Sequence, residues 1–232
     1  MEGESTNTSQ VERAIQGDYQ FSPLEAFSRG RELTEGSKWP LNKALAIAFV
    51  VLIVVYGVFV GFPNSLITAN PDSSLYLVLG LLGQLIYSAA MLPINTSFTL
   101  IGAKRAAGGD IDQAMLWAYF PKTLKLLGTY ILIAIAVVVG LMLLIIPGIY
   151  LAFSYTFALV LVADKDLGVW EAMETSRKAI SKRWFSFAGL LLLLGLVNLL
   201  AIIPLGIGLI WSIPWTIITM GEVYRNMFGY EA

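Results

Sequence analysis

Asp164 and Asp166, spaced i,i+2 around Lys165, are the nearest thing in this chain to a pair of metal ligands. Two carboxylates can attract a cation, but a metal site needs more converging oxygens, and the competing reading is a solvated loop. The chain contains no histidine and no cysteine. That removes the commonest metal ligand, Ser–His–Asp chemistry, thiolate nucleophiles and disulfides together. No catalytic residue, metal ligand set or cofactor is therefore expected, and the protein reads as non-enzymatic. A formal net charge of −1 offers no basic surface to nucleic acid.

Two further groups of residues have types and spacing that matter. The first is neutral and polar, embedded in apolar runs: Gln84 with Tyr87 and Ser88, Asn95 with Thr96 and Ser97, Ser154 with Tyr155, and Asn198. Such residues hydrogen-bond between membrane helices, or they line a polar cavity for a neutral solute. The second is a stripe at helical spacing, Trp170, Met173, Ile180 and Trp184, with Glu171, Glu174, Lys178 and Lys182 pointing elsewhere. Arg177 shares the apolar side and would have to snorkel. Tryptophan favours the bilayer interface, where Lys178, Lys182 and Arg183 would meet lipid phosphates. The same stripe equally suits a helix packed on its own spans.

The elements that would hold these groups follow from composition. Hydrophobic residues make up 57% and charged residues 13%, where a soluble domain carries about 25% charged; mean hydropathy is +0.73. Between Ala44 and Ala103 the only charged residue is Asp72, and none occurs in 126–163 or 184–221. A helix needs roughly 20 apolar residues to cross a bilayer. The expectation is an all-α integral membrane protein with six spans at about 44–62, 75–103, 126–146, 149–163, 185–203 and 205–221. Turns are expected at Phe62-Pro63-Asn64, Pro147-Gly148 and Pro204-Leu205-Gly206, because proline and glycine suit reversals. The fourth span is short, which calls for either a Pro147-Gly148 turn inside the membrane, buried among other helices, or a locally thinned bilayer; the buried turn is the favoured reading. All fifteen basic residues fall on one side of this layout. The positive-inside bias then puts both termini in the cytoplasm. Residues 1–21 read as a mobile polar tail, with no signal-peptide order.

Residues 22–232 show a threefold repeat, with units at about 22–109, 110–167 and 168–232. Each unit opens on a related motif: Ser22-Pro23-Leu24-Glu25-Ala26-Phe27, Asp110-Ile111-Asp112-Gln113-Ala114-Met115, and Gly168-Val169-Trp170-Glu171-Ala172-Met173. Ser22 with Glu25 and Asp110 with Gln113 have capping-box spacing, and Glu171 holds the same place in the third copy. The alternative is a ring of acidic groups around a cytoplasmic vestibule. Gly57 and Gly61 have the GxxxG spacing of closely packed membrane helices.

The run Ile146-Pro147-Gly148-Ile149-Tyr150, with Ser154-Tyr155, Ala163-Asp164, Gly168, Glu171-Ala172-Met173 and Ser176-Arg177, resembles the YciC-like group of bacterial membrane proteins. That group is similar to the membrane domain beside some glycerophosphodiester phosphodiesterases. The resemblance covers about 131–228 and implies a multi-pass inner-membrane protein without the enzyme domain. The expected function is a scaffold or adaptor whose partners are membrane lipids, another membrane protein or a second copy. The alternatives are a carrier of a neutral or amphipathic solute and a lipid-handling accessory factor.

Overall fold

The computed structural model describes residues 2–69 and 73–230, with side chains from residue 9 onward. Every element among them is helical. Helices α1 (Glu2–Gln16) and α2 (Pro23–Thr34) precede a long apolar rod. That rod joins α3 (Lys38–Tyr56), one π-helical turn at Gly57–Gly61, and α4 (Phe62–Ala69). Helix α5 (Ser74–Ala106) returns beside it. Short 3-10 turns at Gln113–Trp117 and Phe120–Lys122 lead to α6 (Thr123–Leu143). Then come α7 (Ile145–Ser154), α8 (Ala158–Asp164), α9 (Val169–Ser181), α10 (Trp184–Ile202) and α11 (Leu209–Phe228). Among the described residues five helical runs are long and apolar enough to cross a membrane: Lys38–Ala69, Ser74–Ala106, Gln113–Leu143, Ile145–Asp164 and Trp184–Ile202. The described chain is all-helical, and these five runs are consistent with a membrane location. Helix α11, in the place of the sixth expected span, is not among the five; Glu222 and Arg225 interrupt its last turns.

Several expectations are corrected. Residues 2–16 form a helix where a mobile tail was expected, and Ala14 and Tyr19 are buried in the main core. Phe62-Pro63-Asn64 does not turn: it lies inside the long rod, because proline fits the first turn of a helix as well as it fits a loop. The second hairpin turns at Leu144, which is extended (φ −159°, ψ 142°), and Pro147 sits in the first turn of α7. Residues 141–146 are exposed on the protein surface, whereas Pro147 is half-buried and Gly148 is buried against Leu141 of α6. The third expected turn is present, with Leu205 and Gly206 at positive φ. Asn70 and Asp72 lie outside the described residues.

Burial divides the helices in two. On α5, Leu92–Ala106 is almost wholly inside, whereas residues 74–91 expose most of their large apolar side chains. Exposed apolar surface on this scale belongs against lipid. The buried half centres on Phe157, in the bend between α7 and α8, whose ring meets Phe187, Tyr224 and Phe228 at centroid distances of 5.5, 5.5 and 6.0 Å. The most extensive helix pair is α5 with α11. They meet backbone to backbone at Gly102 and Gly221, where a Cβ on Gly221 would overlap the Gly102 and Ala103 main chain. Each motif segment rests on the returning helix of a hairpin. A Cβ on Gly30 of α2 would lie 2.9 Å from Thr219 Cα of α11. On α5, Ser97 Oγ donates to Leu116 O at 3.3 Å. On α9, Ser176 Oγ donates to Ser154 O at 2.7 Å.

Candidate functional site

The place with the most mixed chemistry is where α9 ends and α10 begins. Lys182, Arg183, Trp184, Phe185 and Ser186 border a cavity of about 780 Å³, closed on the other side by Ile146, Ile149 and Tyr150 of α7. Trp184 Nε1 donates to Tyr150 O at 3.3 Å, and its ring lies tilted 6.0 Å from Tyr150 and edge-on 5.8 Å from Phe153. The two cations are held from behind by the N-terminal segment. Arg183 lies 5.8 Å over the Tyr19 ring, and Tyr19 OH donates to Ala179 O at 2.9 Å. Burial pushes the Tyr19 phenol up to about 12, against a smaller lowering by Arg183, so it stays a neutral donor. The Lys182 stem crosses Gly17, where a Cβ would come within 3.0 Å of Lys182 Cγ. One side of the cavity is cationic and hydrogen-bonding and the other is apolar, as an amphipathic ligand requires.

The expected interfacial stripe is split by the fold. Trp170 is 67% exposed and Trp184 is half-buried, but Met173 and Ile180 are 1% and 0% exposed. Met173 packs with Tyr155 and Ala158, and Ile180 joins the main core. The membrane-interface reading of Met173 and Ile180 is therefore corrected: their side of α9 faces the protein's own helices. Lys178 stays exposed, 3.6 Å from Glu174, and Arg177 clasps Glu174 through Nε and Nη2 at 2.9 and 2.8 Å.

The polar residues of the apolar runs do not converge. Gln84 and Asn95 are exposed on α5. Asn198 Nδ2 donates to Thr216 Oγ1 at 2.8 Å and to Leu194 O at 2.9 Å, joining α10 to α11. Ser154 is buried and lends its carbonyl to Ser176, and Tyr155 is buried beside it. The caps also differ from expectation. Ser22 makes no side-chain cap bond although Pro23 opens α2. Asp112, not Asp110, caps the first 3-10 turn, accepting from Ala114 N at 2.9 Å. Glu171 Oε2 does accept from Gly168 N at 3.2 Å, half of a capping box because glycine has no side chain to return.

Of two clusters at the buried end, the first has no counterpart in the sequence reading. Glu222, 1% exposed, bonds Arg29 at 3.0 Å, Arg225 at 3.2 Å and Asn226 at 3.2 Å, beside a polar cavity of about 240 Å³. The near-repeat Glu222–Arg225, spaced i,i+3 at the end of an apolar run, was the available signal. The second cluster divides the Asp164–Asp166 pair. Asp164 accepts from Tyr224 OH at 2.6 Å and pairs with Lys165 at 3.2 Å, while Asp166 turns to Lys122 and Lys125 at 3.3 and 3.0 Å. Hydrogen bonds from Lys125 and Lys122 hold the Asp166 carboxyl below the usual aspartate range. Comparison of the chain with protein-family models, curated proteins and solved structures finds no match.

The hydrogen bonds from Arg177 hold the Glu174 carboxyl below its ordinary range. A carboxyl with a lowered folded pKa stabilises the fold above its unfolded pKa and loses that contribution as pH falls through the folded value. Glu174→Gln should therefore cost stability at neutral pH, by under about 1 kcal/mol for so exposed a pair. The difference from the parent should vanish in acid below the carboxylate range. Unfolding in detergent across pH checks this; a difference that persists or grows in acid would refute it.

Proposed function

We propose that the protein is a non-enzymatic membrane scaffold that holds an anionic phospholipid in the Lys182–Arg183–Trp184 cavity. The observation that carries this is the cavity's division into a cationic lip and an apolar wall at the foot of two membrane helices. A phosphate would sit against Lys182, Arg183 and Ser186, with acyl chains along Ile146, Ile149 and Phe185. The spread of Gln84, Asn95, Ser154 and Asn198 over separate helices favours this over a carrier of neutral solutes. The proposal includes the finer layout: three units of motif segment plus hairpin, the basic face and both termini cytoplasmic, a bacterial inner membrane, and kinship with the YciC-like group. What supports the threefold unit is the repeated seating of α2 on α11, of the first 3-10 turn on α5, and of α9 on α7 and α8.

Lipid retention tests the site. A basic residue near an anionic surface contributes about 1 kcal/mol, so Lys182→Gln with Arg183→Gln should weaken anionic-lipid binding about 30-fold. Native mass spectrometry from gentle detergent, with phosphatidylglycerol added against phosphatidylcholine, reads the change. Equal retention of the two lipids by the parent, or no loss in the double variant, sinks the proposal.

A further inference from the structure

Length and apolarity qualify both arms of the second hairpin and the first arm of the third to cross a bilayer, but their neighbours say otherwise. Charged, exposed Lys182 and Arg183 border the same cavity as Ile146 and Ile149. Tyr150, bonded to Trp184, is six residues from the turn at Leu144, about 9 Å at 1.5 Å per residue. The third hairpin repeats the arrangement. Lys38 Nζ lies 5.0 Å from the Trp211 ring centroid, and Asn42 Nδ2 donates to Ile210 O at 3.0 Å. Helix α11 begins at Leu209, directly after the 203–208 turn. Both turns thus lie within a few helical turns of basic residues. The hydrocarbon core is about 30 Å thick. If Lys38, Lys182 and Arg183 share the aqueous edge of that core, neither turn reaches the far side.

We propose that the α6–α7 and α10–α11 hairpins are re-entrant, with their tips packed among the acyl chains of the leaflet on the basic face, and that only the α3–α5 hairpin reaches the other face. This rests on the membrane location and not on the lipid cavity. The tips have the composition for it: Ile146 is 80% and Leu205 94% exposed, and neither tip carries a charge. Backbone in hydrocarbon must satisfy its own hydrogen bonds. In the third hairpin most of it does: the N–H groups of Leu205, Gly206, Ile207, Leu209 and Ile210 donate to carbonyls within the turn or one residue before it, and among the described residues only Gly208 N of this turn lacks a backbone acceptor. In the second, Leu144 N donates to Gly140 O at 3.0 Å, although Gly148 N makes no bond to the Leu144 carbonyl. Helix α10 then runs obliquely, since Arg183 adjoins its first residue and its far end turns back to the Lys38 neighbourhood. The first hairpin differs in length. From Lys38 to Ala69 is 32 residues, about 48 Å of helix, and Tyr56 against Tyr87 at 5.5 Å keeps its outer half paired.

The chain has no cysteine, so single cysteines report directly. Leu144→Cys, Leu205→Cys, Thr68→Cys and Ser28→Cys, all at exposed positions, would be treated in sealed vesicles with a membrane-impermeant maleimide from either side. Ser28→Cys should label from the basic face and Thr68→Cys from the opposite face only. Leu144→Cys and Leu205→Cys should label from neither side until the protein is denatured, and nitroxides there should report acyl-chain depth in the basic-face leaflet. Labelling of either tip from the Thr68 side would restore a crossing hairpin, and labelling from the Ser28 side would put the tips in water; each overturns the proposal. Loss of phosphatidylglycerol selectivity with unchanged tip labelling would count against the cavity alone.

Discussion

Gly102→Leu should leave almost no folded protein. At Gly102 a side chain would enter the main chain of Ile217 and Ile218, and the facing Gly221 has no slack to yield, since its own missing Cβ is filled by Gly102 and Ala103. Overpacking a close contact costs about 1–3 kcal/mol and occasionally more. Here the obstacle is backbone on both sides, so a loss of about 3 kcal/mol or more is expected, a large part of a typical folding free energy. Gly57→Ala is the matched comparison, because nothing lies within 4 Å of that position. Thermal unfolding in detergent should show the first variant melting far below the parent and the second close to it. Equal melting of Gly102→Leu and parent would mean that α5 and α11 do not meet as described.

Removing the Glu222 carboxylate should be nearly as damaging. It is the shared partner of Arg29, Arg225 and Asn226, and it is almost fully enclosed. Deleting one member of a buried pair costs about 3–5 kcal/mol because the other charge is stranded. Arg29 is half exposed and Arg225 about a quarter, so water compensates in part, and about 2–3 kcal/mol is expected for Glu222→Ala. Arg29→Ala should cost about 1 kcal/mol, since Arg225 and Asn226 still serve the carboxylate. The asymmetry is the test: if chemical unfolding gives the two variants equal losses, Glu222 is not the hub of this network.

Why some of this was legible and some was not comes down to range. Apolar runs and their charged borders are local, so helices near 75–103 and 185–203 could be read from composition and match Ser74–Ala106 and Trp184–Ile202. The direction a stripe faces is not local: Met173 and Ile180 have the same spacing whether they meet lipid or Phe157's neighbourhood. Glycine spacing misled for the same reason. Gly57 and Gly61 form a motif within one helix yet face open space or their own turn, while the close approaches use Gly83, Gly102, Gly140, Gly148 and Gly221, whose partners come from other segments. Proline at 63 and 147 suited a turn or a first helical turn equally. At the cavity, Trp184, Lys182 and Arg183 stood out by type, but Tyr19 and Gly17, which hold the cations, lay in a stretch too polar to draw notice.

The seating of α2 on α11 has a consequence for how the chain is made. Synthesis delivers α2 and the first hairpin early, and the surface that receives them, Thr219, Gly221 and Glu222, comes last. Until then Gly102 has no facing glycine and Arg29 has no carboxylate. Contacts between the ends of a chain are slow to form because a long loop must close first. The nascent protein therefore waits in the bilayer with its largest helix interface open, and exposed interfaces are where misassembly starts. A ribosome stalled before residue 217 would present α2 and α5 without their partner, ready to accept α11 from a second molecule in place of its own.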